Sequence, residues 1–274
     1  MPAINTNAAA NAAVRYLNLN SAQETSSLSK LSSGSRITSA SDDAAGLAIS
    51  TRISSDVTTL QQAATNASQA TSILQTADGG ASNISDILAR MKSLASESAS
   101  GTTTDSSRAY INSEFSQLSS EIDSIASGTR YSSQSLLDGS SVFASGVSVL
   151  VGSSSTDTIT VTLSSLKASA LGVSTLDVST QAGANTALTS LDTAINTVSA
   201  ARASIGAQES RFNFSSDSIS TQTQNLQSAN SAIKDVDIAA EQAKLSSAEV
   251  KTQAAVSAEA AANQMPQYLL KLLG

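Results

Sequence analysis

From Leu191 the chain places an apolar side chain at every seventh position, through Val198, Ile205, Phe212, Ile219, Leu226 and Ile233. Such a rung marks one face of a continuous helix, about 63 Å long at 1.5 Å per residue. The rung beside it begins apolar, with Leu188 and Ile195, then turns to Arg202, Glu209, Ser216, Thr223 and Asn230. The helix therefore shows a narrow seam, suited to a long partner helix. A candidate partner lies upstream, with Ile53, Leu60, Ala67 and Leu74 on one rung and Val57, Ala64 and Thr71 on the other. Two shorter stripes follow: Ile84, Ile87/Leu88, Met91 and Leu94, then Ile111, Phe115, Leu118, Ile122 and Ile125. Gly79-Gly80, Gly101 and Gly128 fall between or after these stripes, where glycine is expected to stop a helix.

The period changes in the middle. "VSVLV" (Val147 to Val151) and "TITVTL" (Thr158 to Leu163) alternate in twos around "GSSSTD", which predicts a β-hairpin with a longer loop. Gly139 to Gly146 and Leu171 to Ala184 read as the loosest stretches. The predicted fold is mainly α: long antiparallel helices in a coiled-coil or bundle rod, with a small β-hairpin region. Both ends of the chain are helical, so the chain runs out and returns, and its terminal segments are expected side by side.

Composition sharpens this picture. Only 3% of the 274 residues are aromatic, Trp is absent and Pro occurs twice. Roughly one residue in five is Ser, and Ala, Thr, Gln and Asn supply much of the rest. Alanine gives little area per residue, so the composition favours thin helices packed closely over a thick globule. Cys and His are both absent. There is no thiolate nucleophile, no disulfide and no imidazole for general-base work or zinc ligation. No carboxylate pair has an apolar or Gly-rich frame, so no enzyme, cofactor or metal site is expected. A net charge of −7 argues against nucleic acid, whose phosphates need clustered Lys and Arg. No apolar run approaches a membrane span, and "MPAINTNAAANAAVRYLNLN" lacks the basic and apolar blocks of a secretory signal. Asn66-Ala-Ser68, Asn83-Ile-Ser85 and Asn213-Phe-Ser215 match the N-glycosylation pattern but lie in predicted helices, and read as chance.

Two segments carry a family resemblance. "LSSGSRITSASDDAAGLAIS", Leu31 to Ser50, resembles the signature near the start of bacterial flagellins, and "NQMPQYLLKLL" resembles their C-terminus. "LARMKSLASESASGT", "SEIDSIA", "QSLLDG", "TVTLSSLKASALGV" and "IGAQESRFN" follow in the same order as flagellin counterparts. Thr38 and Ser41 stand where many flagellins have Asn and Lys, and Ser93 where an acidic residue is common. Gly139 to Gly183 is short, so the large variable outer domains of longer flagellins are absent. The resemblance implies three parts. Residues 1–41 and 231–274 form an inner terminal coiled coil, and 42–230 form a rod domain whose short variable β region spans about 139–183. In physical terms "SSGSRITSAS" interrupts the helix as a flexible joint. "SDDAAGLAIS" restarts it, with Ser41 able to cap and Asp42 and Asp43 in the first turn.

The resemblance also implies a function: a subunit that polymerises with itself into the extracellular flagellar filament and gives motility. Its implied partners are a flagellar export chaperone at the C-terminal helix, the export apparatus, and the filament cap and junction proteins. Export follows the flagellar type III route without a cleaved signal, and the absence of Cys suits a chain threaded unfolded. Arg90, Leu94 and Glu114 match positions that in similar flagellins engage a host Toll-like innate receptor. A junction protein of the flagellar hook is the structural alternative. A helical signalling module is the more distant one, since "AEQAKLSSAEVKTQAAVSAEAAA" also suits a chemoreceptor-like coiled coil. The tip poses its own question, because Tyr268, Leu269, Leu270, Leu272 and Leu273 share one charge, Lys271. The expectation is that they pack between subunits, with Pro266 ending or kinking the helix before them.

Overall fold

The computed structural model describes residues 7–273, and only the backbone of Pro266 and of residues 268–273. The elements are α1 (Ala8–Ser33), α2 (Ala44–Ala99), α3 (Asp105–Gly128), β1 (Arg130–Tyr131), β2 (Gln134–Ser135), α4 (Val142–Ser145), β3 (Val147–Leu150), β4 (Thr158–Val161), α5 (Gln181–Lys234) and α6 (Ile238–Leu273). Two compact units divide the chain: Asp56–Gln224, and the terminal segments up to Ser55 and from Asn225. These boundaries fall inside α2 and α5, whereas the expected joint lies between α1 and α2.

In Asp56–Gln224, α2 and α5 run antiparallel. Lys92 pairs with Asp192, and Arg202 with Asp78 at 2.8 Å, so their numbers rise in opposite directions. The expected α5 rung is the core: Leu191, Val198, Ile205, Phe212 and Ile219 are buried. Leu226, beyond this unit, is half-buried. The second rung differs from the expected one. Ala187 and Ala194 are buried, followed by half-buried Ala201 and buried Gln208, while Leu188, Ile195, Arg202, Glu209 and Ser216 flank the seam half-buried. On α2 the same holds: Leu60, Ala67 and Leu74 are buried, but their companions are Ala63, Ala70 and Ala77, not Val57, Ala64 and Thr71. A rung of methyl groups lets two helix backbones approach, which larger side chains at those positions would prevent.

The expected break at Gly79-Gly80 is absent, and α2 is one helix of 56 residues. Its seam keeps phase through Ala77, Ala81 and Ile84. Gly80 serves packing instead: a Cβ there would collide with Thr129 Oγ1 and lie 2.9 Å from Leu137 Cδ1. Gly101 and Gly128 do mark ends, the turn after α2 and the last residue of α3. Thr104 caps α3 by accepting from Ser107 N, and Ile111, Phe115, Ile122 and Ala126 bury its inner face. Arg108, itself buried, donates from Nε to Ser98 O and from Nη2 to Ser100 O, satisfying carbonyls at the C-terminus of α2.

The hairpin lies where alternation predicts it. β3 and β4 pair antiparallel in the register Val147↔Val161 to Leu150↔Thr158. A second, two-residue hairpin joins β1 to β2 through Ser132 (φ 48°) and Ser133 (φ 69°), both left-handed. Leu171 to Ala184, expected to be loose, is packed. Leu171, Val173 and Val178 are buried, and Val178 N donates to Asn112 Oδ1 at 3.0 Å.

The terminal unit pairs α1 with α6, again antiparallel. Asn7 caps α1 by accepting from Ala10 N and donates from Nδ2 to Ala262 O at 2.7 Å. Gly34, at φ 67°, ends α1 in the left-handed conformation that glycine adopts without strain. The stretch after it is tied down instead of forming a loose joint. Arg36 N donates to Lys234 O at 2.6 Å, its guanidinium reaches Ile233 O at 2.7 Å, and Val236 N donates to Gly34 O. Asp43, not Ser41, caps α2, accepting from Gly46 N at 2.8 Å. Asp42 accepts from Thr38 N, Ser39 N and Thr38 Oγ1, and these bonds hold its carboxyl below the usual range.

Candidate assembly surface

The α1–α6 pair has a thin seam. On α6 it buries Glu241, Leu245, Ala248, Ala255 and Ala262, and on α1 Ala10, Ala13 and Ser27. Only Leu245 among these is a large apolar side chain. Glu241 sits in the seam with its side chain 6% exposed and is held below its ordinary range by the hydrogen bond from Lys244 Nζ, 2.9 Å away. The larger apolar side chains lie outside. Val14, Tyr16, Leu19 and Leu28 on α1, and Ile238, Val250, Val256 and Met265 on α6, are all more than a third exposed, with Val250 at 67%. The pair therefore buries its small residues within itself and leaves its large ones exposed.

Sequence reasoning singled out the tip and missed these eight positions. No simple periodicity joins them, because they flank a seam that is itself written in Ala, Ser and Glu. The tip residues Tyr268, Leu269, Leu270, Leu272 and Leu273 have side chains outside the described residues. The backbone of α6 continues as helix through Pro266 to Leu273, so the proline does not end it.

The three candidate receptor positions are separated by burial. Arg90 and Glu114 are half-exposed and bound to each other, Nη2 to Oε1 at 2.6 Å and Nε to Oε1 at 2.9 Å. Leu94 is 2% exposed and belongs to the core. A different ionic group lies along α5. Arg202 bridges Asp78 bidentately, and Glu209, one heptad on, has an Oε1 that no donor reaches among the described residues. Burial first, and the charge of Asp78 second, push the Glu209 carboxyl up.

No group of three His, Cys, Asp or Glu residues that could hold a metal ion occurs among the described residues. None of the described helices is long and apolar enough to cross a membrane.

Comparison with known proteins bears on both ends of the chain. Residues 4–142 match the bacterial flagellin N-terminal helical region, and residues 188–273 the bacterial flagellin C-terminal helical region. A flagellin of Halalkalibacterium halodurans is 35% identical over 272 residues, covering 98% of this chain and 99% of that protein. The flagellar filament 30.7 kDa core protein of Treponema maltophilum is 33% identical over 282 residues, with 98% and 99% covered. Among solved structures, the Bacillus cereus flagellin crystal structure is similar with a TM-score of 0.52 at 32% identity, covering 61% of this chain and 94% of that one.

Proposed function

The chain belongs to the bacterial flagellin family, and we propose on that footing that it builds the flagellar filament by binding copies of itself. It is a structural filament subunit and not an enzyme, and its place of work is the extracellular filament. The observation that carries the reading is the match to both terminal helical regions, in a chain whose terminal helix pair leaves its large apolar side chains exposed.

The finer reading goes as follows. The terminal segments associate between subunits, with Tyr268, Leu269, Leu270, Leu272 and Leu273 buried against the terminal helices of neighbours. Fully covered, five such side chains contribute on the order of 1.5–3 kcal/mol each before the entropy of ordering is charged. The seam residues Leu191, Val198, Ile205, Phe212, Ile219 and Leu226 keep the subunit's own helices together. The inner coiled coil is assigned to residues 1–41 and 231–274, and the rod domain to 42–230. The chain leaves the cell unfolded by the flagellar type III route, with a chaperone covering its C-terminal helix beforehand. It meets the filament cap and junction proteins at the growing end. The Arg90–Glu114 pair is the surface a host Toll-like receptor would read.

Deleting Tyr268 to Gly274 tests the central claim. The truncated subunit should melt within a degree or two of the intact one while polymerisation, followed by electron microscopy and sedimentation, is lost or gravely weakened. Normal filaments from the truncated chain, or a much lower melting temperature, would refute the intersubunit role of the tip.

A further inference from the structure

Sulfur is scarce in this chain and unevenly exposed. There is no Cys, and three Met residues carry all of it. Met91 lies in the core of Asp56–Gln224 and is 0% exposed, whereas Met265 on α6 is 54% exposed. Met1 lies outside the described residues. Met265 is one of the large apolar side chains that the α1–α6 pair leaves uncovered, three positions beyond Ala262, which is buried in the seam. The helix continues past it to Leu273, so positions 268, 269 and 272 follow at spacings of three, four and seven. Such spacings keep to one face of a helix, which makes Met265 the first member of the stripe that Tyr268, Leu269 and Leu272 extend in the sequence. A flexible, polarisable thioether adapts to an irregular apolar contact, and it is also the group on that stripe that an oxidant can change.

We infer that Met265 is an oxidation site, open to hydrogen peroxide in the free subunit and closed in the polymer, whose modification decides whether a subunit can join its neighbours. The inference rests on the reading of the terminal helices as an intersubunit contact. The thioether sulfur attacks one peroxide oxygen: an S–O bond forms as the O–O bond breaks, and sulfur supplies two electrons. The proton on the transferred oxygen passes to the departing hydroxide, which leaves as water. The product is methionine sulfoxide, polar where the thioether was apolar. No thiol in the chain takes up the peroxide first, and reaction follows exposure, so Met265 is modified while Met91 is shielded. A sulfoxide at position 265 loses its water when a neighbour covers it, and an apolar stripe offers no donor in exchange. The same covering acts in the other direction. A seated subunit has Met265 out of reach of peroxide, so the polymer is protected and the free subunit is not.

The test treats the full chain with hydrogen peroxide, as monomer and as preformed filament, and reads each Met by peptide mass spectrometry. Sedimentation then gives the critical concentration of the treated monomer. In the monomer Met265 should oxidise roughly tenfold faster than Met91 or more, and polymerisation should slow Met265 by a similar factor while leaving Met91 unchanged. The oxidised monomer should need a roughly tenfold higher concentration to polymerise. Met265→Leu keeps an apolar side chain without sulfur, and should polymerise like the untreated wild type while losing its sensitivity to peroxide. Met265→Gln places a polar group there and should behave like the oxidised chain with no peroxide added. Circular dichroism confirms that each variant is folded. Equal oxidation of Met265 in monomer and filament would overturn the proposal, as would a Met265→Leu chain whose polymerisation peroxide still blocks. An untreated wild type that forms no polymer would instead bring down the filament reading beneath it.

Discussion

Ile205→Asp probes the seam that holds the Asp56–Gln224 unit together. Ile205 is 3% exposed and lies on the buried rung between Val198 and Phe212. The substitution removes a side chain whose burial is worth about 1.5–3 kcal/mol. It also puts a carboxylate into an apolar core, and an unpaired buried charge costs several kcal/mol more, or takes up a proton to avoid it. A total of about 5 kcal/mol lowers the melting temperature of a unit of this size by roughly 10–20 °C. Ser216→Asp is the matched control, since Ser216 flanks the same seam half-buried and an added carboxylate there keeps its access to water. Surface changes of that kind fall within about 0.5 kcal/mol. Thermal unfolding of the monomer at low concentration, followed by circular dichroism at neutral pH, reads both. Equal shifts for the two variants would refute the single narrow seam. Neutral pH matters, because in acid the introduced carboxyl is protonated, only the lost burial of Ile205 and the buried polar group remain, and the gap between the two variants should narrow.

The adjacent glycines of α2 should respond with opposite signs. Gly79→Ala meets open space and should stabilise by about 0.5–1 kcal/mol, whereas Gly80→Ala drives a Cβ into Thr129 and Leu137 and should cost about 1–3 kcal/mol. Glu209→Gln should raise the melting temperature at neutral pH. The raised carboxyl binds its proton more tightly in the folded chain, so the wild type loses stability as pH rises above the ordinary carboxylate value of 4.5, and the gain from Gln should vanish below it. Brief protease treatment of the monomer should trim the terminal segments first and leave a stable fragment close to Asp56–Gln224. Resistance of α1 and α6 equal to that of α2 would show that their thin seam is stronger than its composition implies.

The parts of the fold legible in the sequence are those written in large side chains. The α5 rung could be read because Leu, Val, Ile and Phe recur at every seventh position from Leu191 to Ile219. Its companion could not, since Ala187, Ala194 and Ala201 look like Ala200 and Ala203, which are exposed. Hydrophobicity alone pointed one position along, to Leu188 and Ile195, which flank the core half-buried. Gly79-Gly80 misled for a related reason. Glycine breaks an isolated helix at about 1 kcal/mol per residue, but here the unbroken heptad phase and the approach of Thr129 outweigh it. The β1–β2 hairpin carries serines at both positive-φ positions where Asn-Gly would announce a turn, so no local signal marked it. On the assembly surface the tip stood out as a cluster. Tyr16, Leu19, Leu28, Val250 and Val256 are scattered, and only the helix pairing shows that they lie outside it.

The two units apply opposite rules to the same alphabet. In Asp56–Gln224 large residues fill one rung and alanines the other, so the helices close on each other and little apolar area is left over. Phe214, Tyr110, Val142 and Tyr131 are the exceptions, 75%, 77%, 55% and 36% exposed. In the terminal pair the small residues occupy the seam and the large ones face outward. Burying an Ala or a Ser against another yields a fraction of what a Leu or a Val yields, at about 25 cal/mol per Å². The backbone entropy of holding two long helices together is the same in either case, about 1–2 kcal/mol per residue. A pair built this way gains most of its apolar burial only when other copies cover Leu19, Leu28, Val250 and Val256. Ordering of the terminal helices and association of subunits are then one thermodynamic step, as in any segment whose apolar surface is completed by its partner. Strengthening the seam within one subunit, for example by Ala248→Leu, should therefore stabilise the isolated pair or overpack it. By the same coupling a stabilised pair should tighten the polymer, because less ordering is left to accompany association, and an overpacked pair should weaken it.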